Sequence, residues 1–193
     1  PRVRRQRQMC IRDSWQTDSS GAINRVLDGT VDLALTGQNT GDDSCVFIPF
    51  CQDNMVIATP VNDHYLNLKQ KEQPVVFQDF IKDPVIIREK SSGTKKEMDI
   101  FLENAGIEPS SLNVVARMND LESIKKSIVN GLGFSILSAR SVVDLQKTKQ
   151  ILLFPLEESA HKRSFYIVYS KNRILKSHVR QFIHYIKEYY QTV

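Results

Sequence analysis

Within PVIIREKSSGTKKEMDIFLENAGI, one arginine and a run of small hydroxyl residues fall where a strand pattern gives way to a helix pattern. Arg88 closes the strand, and Ser91, Ser92, Gly93 and Thr94 form the junction. The first turn of a helix offers backbone N–H groups without intrahelical acceptors and a partial positive charge. Such a junction therefore favours an anion or a polar ligand group. Arg88 can add a charge-assisted hydrogen bond to a carboxylate. Three further places have related chemistry: Ser19 and Ser20 at a helix start, Thr36 and Gly37 at the end of the next strand, and Phe134 and Ser135 behind the turn Gly131-Leu132-Gly133. Ligands of open α/β sheets sit beyond the carboxyl ends of strands. Together the four junctions suggest one cleft for a small anionic or polar molecule.

Each of these residues also has a purely structural use. Serine and threonine cap helices in any protein. Thr94 with Glu97, and Asn119 with Glu122, both have capping-box spacing. Arg88 fits a solvated charge as well as a ligand contact, and Phe134 fits a core as well as a cleft wall.

Catalytic chemistry finds little support. His64, His161, His178 and His184 are scattered without metal spacing, and there is neither a glycine-rich phosphate loop nor a G-x-S-x-G elbow. SSGT has no evident base to activate a hydroxyl. The expectation is a binding module, not an enzyme, with no metal and no cofactor. Cys45 and Cys51 would lie about 20 Å apart on an extended strand, too far for a disulfide; a redox pair would need a turn to fold them together, and the expectation is two ordinary thiols of a reducing compartment.

The elements that must position these junctions follow from periodicity. SSGAINRVLDG reads as a short helix with Ile23, Val26 and Leu27 inward, stopped by Gly29, and Val31 to Leu35 as a buried strand. VFIPF, NMVIATP, PVIIR, LNVVARM, FSIL, ILLFPL and RSFYIVYSK read as further strands. Helices follow PVIIR and LNVVARM, with Met98, Phe101, Leu102 and Ala105 on one face of the first and Leu121, Ile124 and Ile128 on the second. The last helix places Leu175, Val179, Phe182, Ile186 and Tyr189 on one side. Alternation of strands and helices predicts an α/β fold with a parallel sheet.

Net charge is +4 in 193 residues, which would suit a nucleic-acid partner. Its origin is local. Arg2, Arg4, Arg5, Arg7 and Arg12, against Asp13 alone, account for all of it. Back-translated, Arg4 to Ser14 fit one open frame resembling a transposase sequencing adapter. The expectation is that residues 1–14 are a foreign tail and that the protein proper was cut just before Trp15. No apolar run approaches a membrane span, and no apolar N-terminal core suggests a secretory signal, so the default compartment is the cytoplasm.

From Ser19 onward, GTVDLALTG, DNMVIATP with His64 behind it, PVIIREKSSGTKKEMDIFLENAGI, NDLESIKKSIVNGLGFSILS and RSFYIVYSKNR together resemble the effector-binding domain of LysR-type transcriptional regulators. The resemblance implies a two-lobed, periplasmic-binding-protein-like (type 2) α/β fold with two hinge-crossing strands. Lobe one would take residues 15–60 and 165–193, and lobe two residues 61–164. Measured against that pattern, lobe one is incomplete, lacking an opening strand, helix and strand. The implied partners are a small-molecule effector in the cleft and further copies of the chain in the intact protein. DNA would be met only through an N-terminal winged helix-turn-helix that this sequence lacks. A solute-binding component of a transport system shares the fold and is the alternative reading.

Overall fold

The computed structural model describes residues 13–90, 92–156 and 163–191. The adapter-like segment lies outside the described residues except for Asp13 and Ser14. In chain order the elements are α1 (Ser19–Asp28), β1 (Ala34–Thr36), β2 (Cys45–Asp53), β3 (Met55–Thr59), α2 (Asp63–Lys69), β4 (Pro84–Arg88), α3 (Gly93–Asn104), β5 (Asn113–Met118), α4 (Leu121–Val129), β6 (Ser135–Ser138), α5 (Val143–Lys147), β7 (Leu152–Pro155), β8 (Arg163–Ser170) and α6 (Ser177–Gln191).

Two sheets organise two lobes. The first has the order β1-β8-β2. The second joins β7-β3-β6 to the pair β4-β5 through a parallel bridge between Val85 and Phe134. Side chains alternate across each sheet, as a strand period of two requires. On β8, Val168 packs with Ile23 and Val26 of α1, while Ile167 packs with Val179, Ile183 and Ile186 of α6. On β4, Val85 and Ile87 join Met98, Phe101 and Leu102 of α3, while Ile86 joins Ile124 and Ile128 of α4. Each lobe is thus a sheet with helices on both faces.

Several sequence expectations change. Among the described residues every pairing of β3 and of β8 is antiparallel, and only β4-β5 and the Val85 bridge are parallel. The physical reason is that β8 returns from the second lobe and inserts between β1 and β2 against their direction. Strand pairing also puts Met55–Thr59 with the second lobe and Arg163 and Ser164 with the first, whereas the sequence reading runs lobe one to residue 60 and lobe two to residue 164. Only Asn54 separates β2 from β3, and its carbonyl accepts a hydrogen bond from Ala139 N at 2.9 Å. The last helix is rotated from its expected phase: Val179, Ile183 and Ile186 are buried, while Phe182 and Tyr189 are 46% and 52% exposed.

Helix starts differ too. Asp18 caps α1, accepting from Gly21 N at 2.6 Å, so neither Ser19 nor Ser20 is the cap. Asp120, not Asn119, caps α4 through Ser123 N and Ser123 Oγ, and these bonds hold its carboxyl below the usual carboxylate range. At α3 the cap position is Ser92, which makes no side-chain capping bond, and Thr94 lies inside the first turn. The capping roles that competed with ligand binding at Ser19, Ser20 and Thr94 are filled by another residue or left open.

Gly133 is where the bridge in the second lobe is most exacting. A Cβ there would lie 2.3 Å from Pro84 O and 2.8 Å from its carbonyl carbon, so β6 would have to move off β4. Gly133→Ala should cost about 3 kcal/mol and lower the melting temperature by roughly 6–12 °C. Gly41→Ala, at positive φ but with nothing within 4 Å, should cost only about 1 kcal/mol. Thermal unfolding followed by circular dichroism separates the two.

Candidate functional site

The lobes meet at a cleft of about 180 Å³. Lobe one supplies Thr17, Asp18 and Ser19 from the start of α1, Leu35, Thr36 and Gly37 from the end of β1, and Arg163 and Phe165 from β8. Lobe two supplies Arg88 from the end of β4 and Ser92, Gly93 and Thr94 from the start of α3. In lobe two β4 ends and α3 begins at the cleft; in lobe one β1 ends there, while α1 and the antiparallel β8 begin there. A Cβ placed on Gly93 would lie 3.3 Å from Ser19 Oγ and 3.4 Å from Gly37 O, so the two walls are nearly in contact there.

The electrostatics favour an anion. The first turns of α1 and α3 both open onto the cleft, and both carry partial positive charge. Arg88 is half-buried, and its Nε is enclosed without a hydrogen-bond partner among the described residues. Burial holds this guanidinium below its ordinary value, and the nearby Arg163 pushes the same way, against the attraction of Asp120, Glu89 and Asp18. The part of this guanidinium that lines the cleft can pair with a carboxylate or phosphate.

At the hinge a buried ion pair crosses the first sheet. Asp53 and Arg163 are direct partners in the β2-β8 register, 2% and 7% exposed, and Arg163 Nε donates to Asp53 Oδ2 at 2.7 Å. Asp53 Oδ1 accepts from Ser138 Oγ of β6 at 2.8 Å. Arg163 Nη1 donates to Thr94 Oγ1 at 3.4 Å, and its guanidinium lies over the Phe165 ring at 5.0 Å from the centroid.

Of the residues singled out in the sequence, Ser19, Thr36, Gly37, Arg88, Ser92, Gly93 and Thr94 converge on this cleft. Ser91 lies outside the described residues. Ser20 turns to a separate hollow with Thr40, Gly41 and Asp42. Phe134 and Ser135 are corrected to core positions: Phe134 is fully buried against Phe77 and Phe80, and Ser135 Oγ donates to Ile86 O at 2.7 Å, because β6 is an inner strand. Sequence reasoning missed Thr17, Asp18, Leu35, Arg163 and Phe165. A strand period of two puts Arg163 and Phe165 on one face at the start of the returning strand, which was the available signal.

Known proteins match this arrangement. A family model described as "LysR substrate binding domain" matches residues 5–191. The HTH-type transcriptional regulator CysL of Bacillus subtilis (strain 168) is 28% identical over 163 residues, covering 83% of this chain and 52% of that protein. This chain therefore spans about half the length of that curated relative. The effector-binding domain of QuiR in complex with shikimate superposes with a TM-score of 0.78 at 16% identity, covering 92% of this chain and 80% of that one. The regulatory domain of Synechocystis PCC6803 CcmR in complex with 2-PG gives 0.76 at 20% identity, covering 89% and 79%.

Removing one member of the hinge pair strands a buried charge, whereas removing both does not. Asp53→Ala and Arg163→Ala should each cost about 3–5 kcal/mol in urea unfolding. The double substitution should cost clearly less than the two together, giving a coupling energy of about 1–3 kcal/mol. Additive losses would mean that the pair is not coupled.

Proposed function

Because the chain belongs to the family of LysR substrate-binding domains, we propose that its interlobe cleft takes a small anionic metabolite, and that binding sets the angle between the lobes. The type 2 periplasmic-binding-protein-like fold is the frame for this reading. In the intact protein the angle would be passed to other copies of the chain and to a DNA-binding part, so that occupancy alters transcription in the cytoplasm. The domain acts by binding, not by catalysis. The family match favours this role over that of a transport component.

The observation that carries the proposal is the convergence of two helix starts and two arginines, Arg88 and Arg163, on one cleft from opposite lobes. Ser19, Thr36, Ser92 and Thr94 add hydroxyls that can orient the ligand, and the backbone of Gly37 and Gly93 lets the walls close on it. The cleft, about 180 Å³, lies below the roughly 300–1,000 Å³ of pockets that hold drug-sized ligands. That suits a compact metabolite, not a dinucleotide or a peptide. Shikimate, which the QuiR domain holds, is a carboxylate of this scale.

A thermal-shift screen of the chain against small carboxylates, phosphates and neutral metabolites tests the reading. Stabilisation should be confined to anions. For a confirmed ligand, Thr94→Ala should weaken binding by roughly fivefold and Arg88→Ala by roughly 10–100-fold. If both variants respond to that ligand as the parent does, the site lies elsewhere.

A further inference from the structure

The two cleft arginines stand on different lobes, and only one of them is tied to the hinge. Arg88 ends β4, in the same lobe as α3, so a ligand held between Arg88 and the start of α3 gains affinity without spanning the cleft. Arg163 begins β8 in lobe one and faces α3 from the other side. From these positions we infer that Arg163 is the residue that converts anion binding into lobe closure, with Asp53 and Ser138 as the pin that holds it for that task. The inference rests on the reading of the cleft as an anion site.

A guanidinium has five N–H donors. In Arg163, Nε is committed to Asp53, and Nη1 reaches Thr94 Oγ1 only at 3.4 Å, longer than an ordinary N–H···O bond. The other donors have no partner among the described residues. Asp53 and the Phe165 ring fix the guanidinium on two sides, so it is oriented before any ligand arrives. An anion between Arg163 and the first turn of α3 would replace the weak Thr94 contact with charge-assisted bonds reaching both lobes. Those bonds are made only when α3 lies close to β8, so they favour the closed arrangement selectively, as any effector of a two-state equilibrium must. Ser138 supplies the other half of the device. It belongs to β6, and its bond to Asp53 Oδ1 anchors the arginine's counter-ion to the second lobe at the hinge itself. A swing of the lobes therefore turns about a fixed Asp53.

Hydrogen–deuterium exchange of the 193-residue chain, with inorganic phosphate as the probe, tests this. Exchange is read at the start of α3 and around Gly37, at phosphate concentrations that saturate each variant. The parent should show phosphate-dependent protection at both places. Arg88→Lys should weaken phosphate binding about tenfold yet reach the parent's protection once saturated. Arg163→Lys keeps the charge but loses the planar fork, and should reach less than half the parent's protection at saturation. Ser138→Ala, which leaves the Asp53–Arg163 pair in place, should bind phosphate within about threefold of the parent and still fall short in protection; it decides the matter alone if Arg163→Lys does not fold. Full protection in the folded members of these last two variants overturns the inference while leaving the anion site standing. No response in the parent to phosphate or to a panel of small carboxylates overturns the anion site, and the inference with it; if only a carboxylate protects, the same comparison of variants is read with that carboxylate.

Discussion

Everything about the cleft depends on a buried charge pair at the end of the first sheet. Two ions withdrawn from water are costly, and their mutual attraction repays that only when the geometry is good and the leftover lone pairs are used. Both conditions hold here. Asp53 and Arg163 face each other in strand register, and Ser138 takes the second carboxylate oxygen. Because the pair sits where the chain crosses between lobes, it fixes the start of β8 and the end of β2 together. The start of β8 in turn sets Arg163 and Phe165 on the cleft wall.

The rest of the cleft follows from the direction of the strands. Strands β1, β2 and β4 end toward the interlobe space, the antiparallel β8 starts there, and α1 and α3 both begin there. Two like partial charges are thereby brought face to face, with Arg88 beside them. Unoccupied, this arrangement repels itself; with an anion between, it attracts. Asp18 tempers the field, but it is engaged as the cap of α1 through Gly21 N. The folding requirement to cap a helix and the binding requirement for a positive cleft are met by different atoms of the same junction.

Much of this was legible in the chain. Apolar spacing located the helices, and the joint order of strand and helix pieces from Ser19 onward pointed to the family. Ser19, Thr36, Gly37, Arg88 and Thr94 were found because strand-to-helix junctions can be seen locally. What escaped depends on pairing across long separations. Nothing near Asp53 in sequence says that Arg163 will lie opposite it, and the antiparallel insertion of β8 is a property of topology, not of any one strand's pattern. Capping was misassigned by one residue at α4, where Asn119 and Asp120 are both competent caps and the backbone angles of the folded chain decide. Phe134 failed for a related reason: a residue behind a glycine turn can face the cleft or the core, and the tight approach of Gly133 to Pro84 turns it inward.

The near contact of Gly93 with Gly37 and Ser19 gives the cleft the character of a caliper. At that point its jaws meet through backbone and one small hydroxyl, and beside it through the contact of Arg163 with Thr94, where the arginine is held by Asp53. If the cleft takes an anion as proposed, a guest larger by an atom or two would be accommodated chiefly by the hinge, and its dimensions would be written into the lobe angle. Ligands of like charge but different girth would then give graded outputs from the same residues, so discrimination can lie in how far the jaws close as well as in how tightly they hold.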